Sequence, residues 1–324
     1  SLTCSFATVA ACDDALGAQG SGENSLRQDF GERIMVPAVE FRPETVPMPK
    51  VLTETEVANF HTDGYHVPVP VMNSAQALAY RKRLEQFEFR WPEHFHMLDQ
   101  GASLLCPWID EMTRLPGIID PKAEVLGPNI LCWGVSLRLK EPHTKTYAGW
   151  HQDTAYCDIK PISVIAAVAL SDCSEAAGPL RVIPGSHKGP TLPHAEKFGT
   201  ESLLTREQEI TAELDTTGAV SLPMAAGDMV FFNNAICHSS GPNQTADRRI
   251  IFLVEYVPTH ASQNNPRESA MLVRGQDRFH NFDEDPRSEA EMSEAAIVAW
   301  RRKVEVQASV LYRGAKHPPR ALVK

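Results

Sequence analysis

Between residues 130 and 257 the chain breaks into short runs rich in β-forming residues, separated by Pro, Gly and Asx turns and with no helical pattern between them. Candidate strands are Ile130–Lys140, Ile162–Leu170, Leu180–Pro184, Met229–Asn233 and Arg249–Val257. Strands that follow one another without crossover helices cannot build a parallel βαβ sheet, so the pattern predicts an antiparallel sandwich or barrel. Helical periodicity flanks this region. Thr53-Glu54-Thr55-Glu56 opens a helix in capping-box style, with Val57, Phe60 and Tyr65 following before Gly64 and Pro68 break it. A second helix is expected from about Asn73 to Glu88, and a third within Ser288–Leu311. Residues 1–50 carry Pro37, Pro43, Pro47 and Pro49 and little periodicity, which reads as an extended or partly disordered arm before a single domain over 51–324.

Charge and cysteine usage narrow the partners. With 31 Lys+Arg against 41 Asp+Glu the net charge is −10, and no basic run offers the electrostatic footprint of a nucleic-acid or anionic-membrane binder. No stretch approaches the roughly 20 apolar residues of a spanning helix. The seven cysteines are scattered, odd in number and never form Cys-x-x-Cys, so neither a disulfide framework nor a zinc ribbon is indicated. A cytoplasmic protein with a small-molecule partner is the expectation.

A chemical constellation stands out in the β region. A mononuclear non-haem iron(II) site uses two histidines and one carboxylate on one face and leaves other positions open. Trp150-His151-Gln152-Asp153 supplies a His-x-Asp pair. Composition alone produces about 0.6 such pairs in a chain with these His and Asp counts, and His61-x-Asp63 is indeed a second one. Local geometry separates them. On a helix, positions i and i+2 lie about 200° apart and do not face one ion, which disfavours His61 and Asp63. On an extended segment i and i+2 project to one side, which favours His151 and Asp153. His238, at the end of Gly227–His238, is the best candidate for the third ligand. A turn-rich stretch then leads to Arg248-Arg249 at the head of a strand. A guanidinium inside a β core needs a carboxylate, and no acidic residue of this hairpin is a mate at strand spacing, so a dicarboxylate co-substrate would satisfy it. Alternation lets only one of the two arginines point inward, and parity leaves open which one.

His94-x-His96 imitates a ligand pair but lies between helical segments, and His187 in Pro184-Gly185-Ser186-His187 reads as a turn-stabilising hydrogen-bonder. Cys157 and Cys237 are expected in core packing. Trp150 and Tyr156 fit a pocket wall or the core equally well.

Trp150–Asp153, Gly178-Pro179-Leu180-Arg181-Val182-Ile183-Pro184-Gly185-Ser186-His187, and Gly227-Asp228 through His238-Ser239-Ser240-Gly241-Pro242-Asn243 to Arg248-Arg249 together resemble the phytanoyl-CoA dioxygenase family of iron(II)- and 2-oxoglutarate-dependent oxygenases. The resemblance covers about Leu52 to Pro258. It implies a mainly β fold with surrounding helices, built on a double-stranded β-helix (jelly-roll, cupin-like) core. It also implies His151, Asp153 and His238 as ligands of Fe(II), with O2 and 2-oxoglutarate as co-substrates. The family's 2-oxoglutarate arginine lies eleven positions after the distal histidine, which falls on Arg249, and its carboxylate-holding hydroxyl falls on Ser240. Gln152 matches the middle residue of the family's His-Gln-Asp, although on a strand it should point away from the metal. The implied reaction is hydroxylation of a small metabolite with release of succinate and CO2. Desaturation, epoxidation or cyclisation at the same site, and a non-catalytic sensor, are the alternatives. Related halogenases carry Gly or Ala where Asp153 stands, so halogenation is disfavoured.

Overall fold

A computed structural model of the chain describes residues 52–155, 157, 159–197, 201–263, 266–312 and 315. The expected arm over 1–50 lies outside these. Thirteen strands occur among the described residues: β1 (Tyr65–Pro70), β2 (Ile130–Lys140), β3 (Ala148–His151), β4 (Val164–Ala169), β5 (Leu180–Val182), β6 (His194–Glu196), β7 (Gln208–Ile210), β8 (Val220–Leu222), β9 (Asp228–Asn233), β10 (His238–Ser240), β11 (Arg249–Pro258), β12 (Ser269–Arg274) and β13 (Asp283–Glu284). The helices are α1 (Glu54–Asp63), α2 (Ser74–Arg90), α3 (Pro107–Met112), α4 (Pro116–Leu126) and α5 (Glu294–Leu311).

A seven-stranded sheet in the order β1-β9-β4-β11-β2-β12-β13 and a four-stranded sheet in the order β3-β10-β5-β8 form the β core. All the pairings are antiparallel except β12 with β13. Side-chain alternation assigns each face of the large sheet its own packing layer. Val164, Ala166, Val168, Phe231, Phe252 and Val254 pack outward against Phe60, Leu84, Phe87 and Ile109 of the helices. Ile165, Ala167, Val230, Phe232 and Ile251 pack inward with Val182 and Leu222 of the small sheet. Both faces of the central strands are therefore buried, which is why β4 and β11 read as nearly unbroken apolar runs. This is the expected jelly-roll arrangement with helices on one outer face.

The helices start where their side chains dictate. Thr53 and Glu56 cap α1 reciprocally, and Asn73 and Gln76 do the same for α2. α1 stops at Gly64, whose φ of +82° suits glycine and where an added Cβ would lie 2.3 Å from the His187 ring. One element escaped the sequence pattern. Tyr65–Pro70, with Pro68 and Pro70, reads as a helix break, yet it forms β1 at the sheet edge beside β9, a position where a missing backbone donor is tolerated.

Candidate metal centre and its cavity

The site forms where the small sheet's edge strand β3 ends beside the start of its neighbour β10. His238 opens β10 and pairs directly across the ladder with His151, the last residue of β3. Their ring centroids are 4.0 Å apart. The Nδ1 of His151 lies 2.7 Å from the Gly149 carbonyl, and that of His238 lies 3.0 Å from the Ile236 carbonyl. A carbonyl can only accept, so each Nδ1 carries the proton and each Nε2 presents a lone pair inward. Burial pulls the His151 pKa well below its ordinary value, which keeps the ring neutral as a ligand must be.

Asp153 completes the group from a different kind of element. The expectation that His151 and Asp153 share one side of an extended segment is corrected: β3 ends at His151 and Asp153 begins a 3-10 turn over Asp153–Ala155. Its backbone N–H donates to the Asn234 carbonyl at 3.0 Å, which fixes the turn against the β9–β10 connection. The Asp153 carboxylate thereby stands 3.5 Å from His151 Nε2 and 3.7 Å from His238 Nε2. The three ligand atoms all lie within 4.8 Å of one another. Two imidazoles and one carboxylate converging from one side are the donor set of a 2-His-1-carboxylate iron(II) site, and the residues fit that ion.

Gln152 does not face this centre. Its amide donates to the Ala235 carbonyl at 2.8 Å and accepts from Leu192 N at 2.8 Å, and its own N–H donates to His194 Nε2 at 3.1 Å. The geometry corrects its reading as a cofactor-binding residue: the side chain ties two loops together behind the histidines.

Beside the triad, a cavity of about 460 Å³ opens against the inner face of β2 and β11. The parity of the arginines is resolved here. Arg248 turns outward to Glu88 and Glu141 at 2.6 Å each. Arg249 is buried and lines the cavity; its Nε has no hydrogen-bond partner, and burial lowers its pKa. Directly opposite it on β2 stands Lys140, 1% exposed. Lys140 Nζ donates to Ser240 Oγ at 2.8 Å and to the Gly241 carbonyl. Burial, and then the charge of Arg249, push the Lys140 pKa down to about 6. No ion pair forms to either cation among the described residues. Lys140 was absent from the sequence reading because it closes an apolar strand and belongs to no motif. Its place follows from pairing with the first residue of β11, a register that only the fold sets.

Of the other candidates, Trp150 stacks with Arg181 at 5.6 Å, away from the cavity, while Tyr156 lies outside the described residues. His187 bonds the His61 carbonyl at 3.2 Å, as a turn residue would. His94 and His96 sit in a 3-10 helix over Pro92–Asp99 and join no metal-ligating group.

Residues 113–251 match the family model of phytanoyl-CoA dioxygenase, a span that contains the triad, Lys140, Ser240 and Arg249. The chain is 27% identical over 239 residues to the L-proline trans-4-hydroxylase of Streptomyces griseoviridis, covering 65% of this chain and 88% of that protein. It is 28% identical over 155 residues to a protein of Stutzerimonas stutzeri named probable alpha-ketoglutarate-dependent hypophosphite dioxygenase, covering 47% and 54% of the two chains. Among solved structures it resembles the non-haem monooxygenase ThoJ, with a TM-score of 0.72, 27% identity, and coverage of 79% and 97%. Fold, triad and relatives define a non-haem iron- and 2-oxoglutarate-dependent dioxygenase. The segment 113–251 that matches the phytanoyl-CoA dioxygenase model contains all three sequence motifs.

Proposed function

We propose that His151, Asp153 and His238 hold Fe(II), that Arg249, Lys140 and Ser240 hold the distal carboxylate of 2-oxoglutarate, and that the cavity receives a small molecule for hydroxylation. The observation that carries this reading is the pair of buried basic side chains beside the triad. Burying one unpaired charge costs several kcal/mol, and Lys140 and Arg249 face each other with no carboxylate between them among the described residues. A dicarboxylate co-substrate supplies that counter-charge, and its other end then points toward the triad.

Each residue has a distinct task. The histidines keep their Nε2 lone pairs directed inward through their carbonyl-bound Nδ1 atoms. Asp153 contributes the negative ligand. Arg249 offers a planar fork matched to a carboxylate, while Ser240 and Lys140 donate from the neighbouring strands. The apolar inner wall, including Ile251 and Leu253, excludes water from the reacting carbon. Iron bound here couples oxidative decarboxylation of 2-oxoglutarate, which yields succinate and CO2, to insertion of oxygen into the substrate. Similarity to a proline hydroxylase supports hydroxylation as the outcome.

We also read residues 51–324 as one oxygenase domain. No helix of the described residues is long and apolar enough to cross a membrane. A cytoplasmic setting is favoured by Cys106, Cys132, Cys157, Cys173 and Cys237, all buried free thiols. The deciding experiment is anaerobic titration with Fe(II) and 2-oxoglutarate. A visible charge-transfer band and succinate release on admitting oxygen are expected; absence of both overturns the assignment.

A further inference from the structure

The inner face of the β2–β11 ladder is polar at both ends. Its rungs are Lys140 with Arg249, Arg138 with Ile251, Ser136 with Leu253 and Gly134 with Glu255. At about 3.3 Å per residue, the six steps from Arg249 to Glu255 span about 20 Å. Basic side chains occupy the first rung and a carboxyl group the last.

Glu255 is an unusual residue to find there. It lines the cavity, and its Oε1 accepts from Ser163 Oγ. No Lys, Arg or His among the described residues is ion-paired with it. Its neighbours in charge are Asp153 and Glu268, both acidic, while Arg138 on the same face acts on Asp153 and Arg249. The residue opposite is Gly134, so no side chain of β2 projects across that rung, and the place a Cβ would take lies within van der Waals contact, 3.8 Å, of Glu255 Oε2. Trp133, adjacent on β2, lines the same cavity and adds an aromatic wall. A carboxyl group with one satisfied oxygen, one open oxygen, acidic neighbours and an aromatic ring nearby attracts a cation or a strong proton donor.

Building on the iron-oxygenase reading, we propose that Glu255 selects the substrate and that the substrate class is a small molecule bearing a basic amine, whose nitrogen docks on the Glu255 carboxyl group, the proton resting on the nitrogen once the two meet, at the end of the cavity remote from Lys140 and Arg249. Anchoring the nitrogen there would leave the carbon skeleton beside the triad. A neutral hydroxylated substrate would bind without needing a charge at 255.

The test uses a matched pair of probes, benzylamine and benzyl alcohol, with saturation-transfer NMR on the full chain, both metal-free and loaded with Mn(II)-excluding Zn(II) and 2-oxoglutarate. The wild type should prefer the amine by about tenfold, as expected for a charge-assisted contact, and Glu255→Gln should erase that preference. Glu255→Asp, which keeps the charge, should retain part of it. Equal binding, no binding of either probe to the wild type, or a preference that survives in Glu255→Gln overturns the proposal. The metal-free arm does not depend on iron, so failure of the wild-type iron titration alone would sink the oxygenase reading and leave this result standing.

Discussion

Lys140 and Arg249 occupy the same rung of the β2–β11 ladder, both buried, with Ser240 against the lysine and no carboxylate among the described residues paired to either. In a strand pair, like charges directly opposite each other destabilise the sheet. A dianion held between them, as proposed for 2-oxoglutarate, would offset that cost.

Arg249→Ala should lower 2-oxoglutarate affinity by at least about tenfold, because a fully desolvated charge pair contributes more than about 1.4 kcal/mol. Arg248→Ala should leave that affinity unchanged and cost only about 1 kcal/mol or less of stability, since its bonds to Glu88 and Glu141 are at the surface. Isothermal titration of 2-oxoglutarate into the metal-loaded variants separates them, and the reverse ranking would transfer the role to Arg248.

Lys140→Met should weaken 2-oxoglutarate binding yet stabilise the ligand-free protein at neutral pH. The sign follows from the titration. With a folded pKa of about 6 against an unfolded value near 10.4, the unfolded chain binds more protons between those limits, so this lysine makes stability rise with pH across that window. Chemical denaturation from pH 6 to pH 10 should show a flatter profile in the variant than in the wild type.

Glu255 acts in the opposite direction. Burial raises its pKa to about 8, so the folded state binds the extra proton between the ordinary carboxyl range and pH 8. Its contribution is therefore full at low pH and lost as pH rises through 8. Glu255→Gln should remove that loss, and melting temperatures compared at pH 5 and pH 8 would reveal it; equal pH dependence in both proteins contradicts the assignment.

Asp153→Ala should abolish iron-dependent succinate formation while the protein still folds, as judged by far-ultraviolet circular dichroism. The carboxylate lies on a turn and its loss leaves the β3–β10 pairing in place. Retained turnover in this variant would refute the triad.

Gly178→Ala should damage both fold and co-substrate binding. Gly178 has φ of +70°, and an added Cβ would stand 2.1 Å from the Gly241 carbonyl oxygen. That same carbonyl accepts from Lys140. A destabilisation of about 1–3 kcal/mol from backbone strain alone is expected, measurable by urea denaturation.

The sequence revealed most of the sheet because β2, β4, β9 and β11 combine β-branched residues with turn-forming flanks. It located His151, Asp153 and His238 through their spacing and residue types. What stayed hidden has identifiable physical causes. β1 carries two prolines, which local rules treat as a break, while the tertiary environment of an edge strand accepts them. Asp153 reaches the histidines through a turn, which alternation along a strand cannot anticipate. The parity of Arg248 and Arg249 is unreadable because both faces of β11 are buried. Lys140 and Glu255 gain their meaning only from the rungs they share with Arg249 and Gly134, and register between strands is a tertiary property.

The two histidines and the carboxylate are held by different devices. Each imidazole is steered by the carbonyl two residues before it on its own chain, and the two rings face each other across one ladder. Asp153 alone stands on a short turn, fastened by its backbone bond to Asn234 and by the side chains of its neighbours Gln152 and Thr154. Two of the three candidate ligands are thus inherited from the sheet, and the third from a connection that can change without rebuilding it. A scaffold so divided can trade the anionic corner of its metal site, and with it the chemistry performed there, while the histidine pair endures.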